Sequence, residues 1–497
     1  MKIKELKNLL SEENKNGHLY EKMLSYYGNN SSYLAQQKMR IQALLKKYSE
    51  TVNSKNVFLV HAPGRTNLIG EHTDYNGYPV MPMAINRDIL VCASAHEKSV
   101  INISNVNEEF PVRSFSIVEN IQPYAAGDWG NYVKAAIAGL LPIVREKNGR
   151  AIGFHAVYSG IIPPAGGLSS SSAMVVASAL TFLRANNVEI PKIELAEILA
   201  RAERFVGTEG GGMDQAISLV GEKDKAVKID FFPLRATPIS LPKNYEIVIC
   251  NSLVRAPKTE AAMLEYNRRP VECRLAAALI AKSLENISGD RIPTQRLADV
   301  DQRKISVDGD SFKKAMAEAL NPPVLSAEQV REKLALSQND LNEKYLRLKS
   351  GKLFVPPQDG FKVGLRYKHV LSEAHRVEQA AQALQSGDVA EFGKLMNASH
   401  ESCRANYEIS TPELDKLVEI ARNHGAIGAR LTGAGFGGCT VNLVPQNHVD
   451  AFIQGVIKDY YQDYLPAARP DIQFNKKNLE SIIFSSSAVA GAEVMEE

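Results

Sequence analysis

Little in this chain is extreme, and its absences exclude a good deal. Lys and Arg total 58 against 56 Asp and Glu, a net charge of +2, so no surplus of one sign marks a nucleic-acid or membrane footprint. A small neutral substrate is compatible with that balance. The five cysteines, Cys92, Cys250, Cys273, Cys403 and Cys439, are scattered and form no Cys-x-x-Cys pair. They are too sparse to staple a chain of 497 residues, which points to a reducing, cytoplasmic compartment. The opening MKIKELKNLLSEENKNGHLYEKML is charged throughout and lacks the apolar stretch of a signal peptide, and no later run approaches the length of a bilayer span. Neither Gly-Lys pair, Gly351-Lys352 or Gly393-Lys394, precedes Ser or Thr, so a P-loop is excluded. His369, His375 and His400 fall on predicted helices without a His-Glu-x-x-His pattern and read as surface or core residues. The single tryptophan, Trp129, is expected to pack at the start of a helix, and no solenoid repeat or long low-complexity tract is present.

A chain of 497 residues is long enough for two domains. Residues 1–50 read as a helical extension, with YLAQQKMRIQALLKKY carrying apolar residues at helical spacing. NVFLVHAP, YPVMPMAI, RDILVCASAHE and SVINISNV then read as short strands of one sheet. NYVKAAIAGLLPIV reads as helix, GFHAVYSGII as strand, and SSSSAMVVASALTFL as helix again. The first domain is placed at 51–244, and a second at 245–497 opens on the strand YEIVICNS without a Pro/Gly-rich linker. A charged, weakly periodic segment at about 288–361 reads as an inserted helical subdomain; it and the extension are expected to be surface padding. The fold class is α+β, mixed sheets flanked by helices, two layers to a domain.

Four stretches carry chemistry. GRTNLIGEHTDYNGY, Gly64 to Tyr78, neither alternates nor follows a helical stripe, and reads as a dense polar loop built to hold something. In GIIPPAGGLSSSSAMVVASAL, Gly166 and Gly167 allow close backbone approach, and Ser169 to Ser172 sit where an apolar helix starts. Free amides and the positive end of the helix dipole make such a start an anion site, though a serine run can equally be a cap or a loop. In ARLTGAGFGGCTVNLV, Gly433, Gly435 and Gly438 fit Gly-x-Gly-x-x-Gly, but a β-branched run follows instead of the required helix. A glycine hairpin pressed against another backbone is expected there. AEILARAERFVGTEGGGMDQAISLV sets Glu203 near a helix end and Asp214 about three helical turns on, after a glycine run. Asp214 either caps the next helix or, near a phosphate cradle, holds Mg²⁺ or accepts a proton.

Taken in this order, the four stretches resemble those of the GHMP family of small-molecule kinases, and within it the galactokinase branch. Similar echoes, NYVKAAI, ICNSLVR, EYNRRPVECRLAAALI and SHESCRANYEISTPELDKLV, extend the resemblance from about Asn56 to about Asp463. The resemblance implies a two-domain kinase that uses ATP and Mg²⁺ to phosphorylate a sugar at its anomeric hydroxyl. By the same resemblance Arg65, Glu71, His72, Asp74, Gly211, Asp214 and Tyr266 line the sugar pocket, with Asp214 as the base and Arg65 as the cation beside it. Gly166, Gly167, Ser169, Ser170 and Ser171 wrap the nucleotide phosphates, Asn251 and Ser252 make a further nucleotide contact, and Ser170 with Glu203 ligates Mg²⁺. Galactose is the expected substrate, with N-acetylgalactosamine as the alternative. A non-catalytic sugar sensor belongs to another class, and the uninterrupted GGLSSSSA together with Asp214 and Arg65 favours catalysis over it. The expected partners are the sugar and ATP, on a monomer, with no nucleic acid and no membrane.

Overall fold

The computed structural model describes residues 6, 18–52, 54, 56–206, 211–255, 260–348, 351–475 and 478–495. Residues 207–210, part of the aspartate stretch, lie outside the described residues, as does most of the chain before residue 18. Twelve strands are described: β1 Phe58–Ile69, β2 Met81–His96, β3 Val100–Asn105, β4 Arg113–Ser116, β5 Gly153–Gly160, β6 Lys225–Asp230, β7 Arg235–Ser240, β8 Tyr245–Asn251, β9 Gly428–Leu431, β10 Cys439–Pro445, β11 Ile483–Ser486 and β12 Glu493–Met495. They form a six-stranded sheet in the order β12-β1-β2-β5-β3-β4, a four-stranded sheet β11-β8-β10-β9, and the hairpin β6-β7. Within the six-stranded sheet only β3 and β5 run parallel. The class is mixed α+β, and no described helix is long and apolar enough to cross a membrane.

The first sheet is covered on both faces, and the two-residue period of its strands shows how. Along β2, Ile89, Val91 and Ala93 join the main core, while Leu90 and Cys92 point the other way, into a cluster with Tyr26, Tyr27, Leu44, Leu45 and Tyr48. Those last five belong to helices His18–Tyr27 and Ser31–Thr51, the second capped by the Asn30 side chain accepting from Tyr33 N–H at 3.1 Å. The helical extension is therefore the cover of a sheet face, not padding. Arg40 fixes it, donating to Asp88 Oδ1 at 2.5 Å and to the Ser159 carbonyl at 2.5 Å. Asp88 is fully buried; burial would raise its carboxyl, but the Arg40 guanidinium together with His61 and the Tyr27 hydroxyl overrides that and holds it well below the usual range.

The opposite face carries helices Gly130–Asn148, Ser170–Ala185, Lys192–Ala202 and Met213–Val220. Trp129 stands immediately before the first of them, buried, its indole N–H on the Pro111 carbonyl at 2.9 Å. The main core does not stop at residue 245: Ile247, Ile249, Val441 and Leu443 of the second sheet join it, so the halves meet over a shared apolar interior. The chain also crosses back at its far end, where β12 pairs antiparallel with β1, Leu59 opposite Met495.

Two readings of local structure change. YPVMPMAI and RDILVCASAHE contribute to one strand, β2. The polar stretch after Pro63 is not wholly loop, since β1 runs on through Arg65, Thr66 and Asn67, with register shifts at Pro63/Arg65 and Asn67/Ile69. Such shifts break the alternation expected of a strand and re-aim side chains, which hides the strand from a periodicity reading. The segment at 288–361 contains helices Gly309–Leu320 and Ala327–Leu334, and buries Phe312, Leu325, Val330 and Phe361 in one core with helix Glu260–Ser288. It reaches the first half as well, where Tyr78 donates to Asp301 at 3.0 Å.

Candidate functional site

Three of the four polar stretches converge on one carboxylate. Asp214 lies in the first turn of helix Met213–Val220, next to the positive end of its dipole. Its Oδ1 accepts from Arg65 of β1 at 2.8 Å, and its Oδ2 accepts from the Ser169 hydroxyl at 2.5 Å. Arg65 also donates through Nη1 to the Gly167 carbonyl at 2.5 Å and through its backbone N–H to the Leu168 carbonyl at 3.1 Å. A side chain at Gly64 would stand 2.7 Å from that same Leu168 oxygen, so glycine is what lets β1 approach the serine loop. The Asp214 side chain remains 27% exposed, the Arg65 side chain 5%. The sugar-type stretch, the serine loop and the aspartate stretch are thus joined through a carboxylate that solvent still reaches.

The glycine-rich fourth stretch braces the loop from behind. It is the connection of the β9–β10 hairpin, as expected, and its close neighbour is the pair Gly166–Gly167. A Cβ at Gly433 would lie 2.5 Å from the Gly167 oxygen, and one at Gly167 would lie 2.7 Å from the Thr432 oxygen. Cys439 N–H donates to the Gly166 carbonyl at 3.0 Å, and Ser252 N–H to that of Gly438 at 2.8 Å. Asn251 and Ser252 therefore sit behind the loop, with Asn251 Oδ1 accepting from Leu253 N–H at 2.8 Å and Ser252 wholly buried. Ser170 and Ser171 begin helix Ser170–Ala185, half-buried, with hydroxyls that make no hydrogen bond among the described residues. The hydroxyl on Glu203 is that of Ser172, at 2.6 Å. Two residues turn a helix by more than half a revolution, so Ser170 and Ser172 point to different sides. Burial, then the nearby Asp214 charge, pushes the Glu203 carboxyl up to about 7.

Glu71, His72, Asp74 and Tyr266 form the adjoining part. A Cβ at Gly211 would be 2.4 Å from Asp74 Cγ, so the glycine backbone rests on that carboxylate. Burial and then Asp214 raise Asp74 to about 6. His72 holds a left-handed backbone, φ 61°, and burial lowers its ring to about 3, so the imidazole is neutral. Its Nε2 faces the Ala434 carbonyl at 3.2 Å and must carry the hydrogen, leaving Nδ1 to accept from Tyr75 O–H at 2.9 Å. The Tyr75 oxygen then accepts from Tyr407 at 2.6 Å. Tyr266 places its ring 5.9 Å from that of His72. Glu71 is buried, and both its oxygens are engaged, Oε2 by Arg430 at 2.7 Å and Oε1 by Gly433 N–H at 3.2 Å. Each oxygen keeps a further lone pair.

Sequence reasoning passed over Arg430, Tyr75, Tyr407 and Glu373, and read His369 only as a surface or core residue. Arg430, Tyr75 and Tyr407 lay inside stretches already quoted. The signal for the other two was a His and a Glu four residues apart on the apolar face of YKHVLSEAHRV, where Val370, Ala374 and Val377 are buried. His369 and His400 are buried and His375 exposed, in keeping with core and surface roles.

Known proteins match the same stretches. A profile described as the galactokinase galactose-binding signature covers residues 46–95, the GHMP kinases N-terminal domain covers 131–222, and the GHMP kinases C-terminal profile covers 380–462. A galactokinase of Dictyostelium discoideum is 36% identical over 86% of this chain and 89% of its own length, and one of Saccharomyces cerevisiae is 32% identical over 90% and 93%. The structure is similar to that of Lactococcus lactis galactokinase complexed with galactose, with a TM-score of 0.69 and 27% identity over 91% of this chain and 99% of that one. Sequence and fold together place the chain in the GHMP kinase family. Within that family it is an ATP-dependent sugar kinase of the galactokinase type.

Proposed function

We propose that this enzyme transfers the γ-phosphoryl group of ATP to the C1 hydroxyl of galactose, giving galactose 1-phosphate and ADP, at a site centred on Asp214. The observation that carries this reading is the shared carboxylate: Asp214 takes Arg65 on one oxygen and Ser169 of the serine loop on the other. Phosphoryl transfer asks the protein mainly for alignment and charge stabilisation. Asp214 accepts the proton of the C1 hydroxyl as its oxygen bonds to phosphorus and the bridge to ADP breaks, and Arg65 steadies the negative charge on both. Gly166, Gly167, Ser169, Ser170 and Ser171 supply N–H and O–H donors for the phosphates at the start of helix Ser170–Ala185, with Asn251 and Ser252 supporting the loop from behind. Glu71, His72, Asp74, Tyr266 and the Gly211 backbone grip the sugar hydroxyls. A pocket of this kind rejects a sugar lacking a hydroxyl, because its own polar groups are then left unpaired.

The donor set also fits Mg²⁺. Glu203, whose carboxyl accepts from Ser172, would hold it from one side, and the Ser170 hydroxyl, at the start of helix Ser170–Ala185, from the phosphate side. Among the described residues no three His, Cys, Asp or Glu side chains gather as a metal cage. Mg²⁺ takes one or two carboxylates and draws its other ligands from phosphate and water, so the Glu203 carboxylate is a sufficient protein donor of that kind. When bound, the ion neutralises charge on the β- and γ-phosphates.

The test is ATP-dependent phosphorylation of a sugar panel, with the product position assigned by NMR. Phosphate on C1 of galactose is expected. A preference for N-acetylgalactosamine would change the substrate, and no transfer to any sugar would end the reading.

A further inference from the structure

Helix Val363–Ser386 comes from the second half of the chain, yet two of its buried side chains close on the backbone of the sugar stretch. Glu373 Oε1 accepts from Gly70 N–H at 2.8 Å, from Glu71 N–H at 3.3 Å and from the Ser399 hydroxyl at 2.5 Å, while Arg376 donates to Oε2 at 2.7 Å. One helical turn earlier, His369 Nε2 lies 3.0 Å from the Glu71 carbonyl oxygen. A carbonyl only accepts, so Nε2 carries the hydrogen and Nδ1 accepts from the Ser402 hydroxyl at 2.9 Å. The Ser402 oxygen in turn accepts from Asn406 Nδ2 at 3.3 Å, which closes the circuit with a neutral imidazole. Burial lowers His369 to about 4, in agreement. Burial would raise Glu373, but Arg376, Arg430 and the hydrogen bond from Ser399 together outweigh it and the carboxyl stands at about 2.

One helix therefore holds Glu71 from both sides, its N–H by Glu373 and its C=O by His369, while Arg430 and Gly433 hold its side chain. The approach is close: Gly70 has φ 97°, and a Cβ there would meet Val377 Cγ2 of the same helix at 2.8 Å. The next residue, His72, keeps a left-handed backbone, a conformation that persists in a non-glycine residue only where its surroundings over-determine it.

We propose that His369 and Glu373 are positioning residues for sugar recognition, fixing the backbone of Gly70, Glu71 and His72 so that the Glu71 and His72 side chains are aimed at the substrate hydroxyls. This rests on the reading that Glu71 and His72 bind the sugar. A purely structural role would lower stability and disturb both substrates alike. A positioning role weakens the sugar alone.

The experiment uses the full chain with His369→Leu, His369→Gln, Glu373→Gln and, as control, His72→Ala. Galactose affinity is read by calorimetry, and KM is measured for galactose and for ATP. His369→Leu should weaken galactose binding about tenfold or more and leave the ATP KM within about twofold, the scale of a slightly misplaced recognition group. His369→Gln, whose amide N–H can reach the same carbonyl, should recover most of the loss, and Glu373→Gln should shift galactose in the same direction as His369→Leu. Galactose constants within about twofold of wild type in folded His369→Leu would overturn the proposal, as would sugar and ATP constants rising together without recovery by Gln. If His369→Leu does not fold, Glu373→Gln decides by the same criterion. Unchanged galactose binding in His72→Ala would overturn the sugar reading itself, whereas a loss there with His369 and Glu373 variants unaffected would overturn the positioning role alone.

Discussion

Asp214 is the residue on which the chemistry turns, and its neighbours make it testable. Asp214→Asn preserves shape and removes the base, so kcat should fall by about 10²-fold or more, with galactose affinity nearly unchanged. Near-normal turnover in a steady-state assay would remove Asp214 from the chemistry. Glu203 offers a test without substrate. Its folded value of about 7 lies above the ordinary 4.5, so the folded state holds the proton more tightly than the unfolded chain. Stability then declines as pH rises from the ordinary value to about 7 and stays lower above that. Glu203→Gln cannot ionise, so its apo form should melt several degrees above wild type at alkaline pH and at the same temperature in mild acid. An equal gain at both ends of a pH series of melting curves would show that ionisation is not the cause. The candidates Arg65, His72, Asp74 and Asp214 stood out at this scale because they lay inside unusual runs. His369 and Glu373 were not, since their partners are backbone atoms some 300 positions away, visible only once the helix is docked.

The serine loop and the glycine hairpin stand back to back, and neither can move alone. At Gly167, φ is 71° and the Thr432 oxygen lies 2.7 Å from where a Cβ would be. Gly167→Ala should therefore raise the KM for ATP more than that for galactose and lower the melting temperature, with a strain cost of about 1 kcal/mol or more. Unaltered kinetics with ATP would mean that the loop does not cradle the nucleotide. The main helices and six of the twelve described strands, β1, β2, β3, β5, β8 and β10, were readable from the sequence pattern. β1 beyond Pro63 was not, because its bulged register and burial on both faces erase the alternation by which a strand is recognised.

The molecule is tied together across long stretches of sequence. Arg40 sits opposite the wholly buried Asp88, so Arg40→Met would leave that carboxylate short of its main counter-charge, at a cost of about 3–5 kcal/mol in urea unfolding. A loss below about 1 kcal/mol would show that the extension is held by apolar contacts alone. Composition gave no hint of this, because a helix that covers a sheet and one that lies on the surface share the same stripe. A change of pattern near residue 245 was legible, but the core shared across it and the return of the chain to the first sheet were not, being matters of docking rather than of local preference. That return also orders events in time. The outer edge of β1 is completed only by residues 493–495, and Glu493 also receives the Tyr26 hydroxyl. On the ribosome, then, the first sheet waits until residues 493–495 have been made, its open strand exposed to neighbouring nascent chains until that distant segment arrives to seal it.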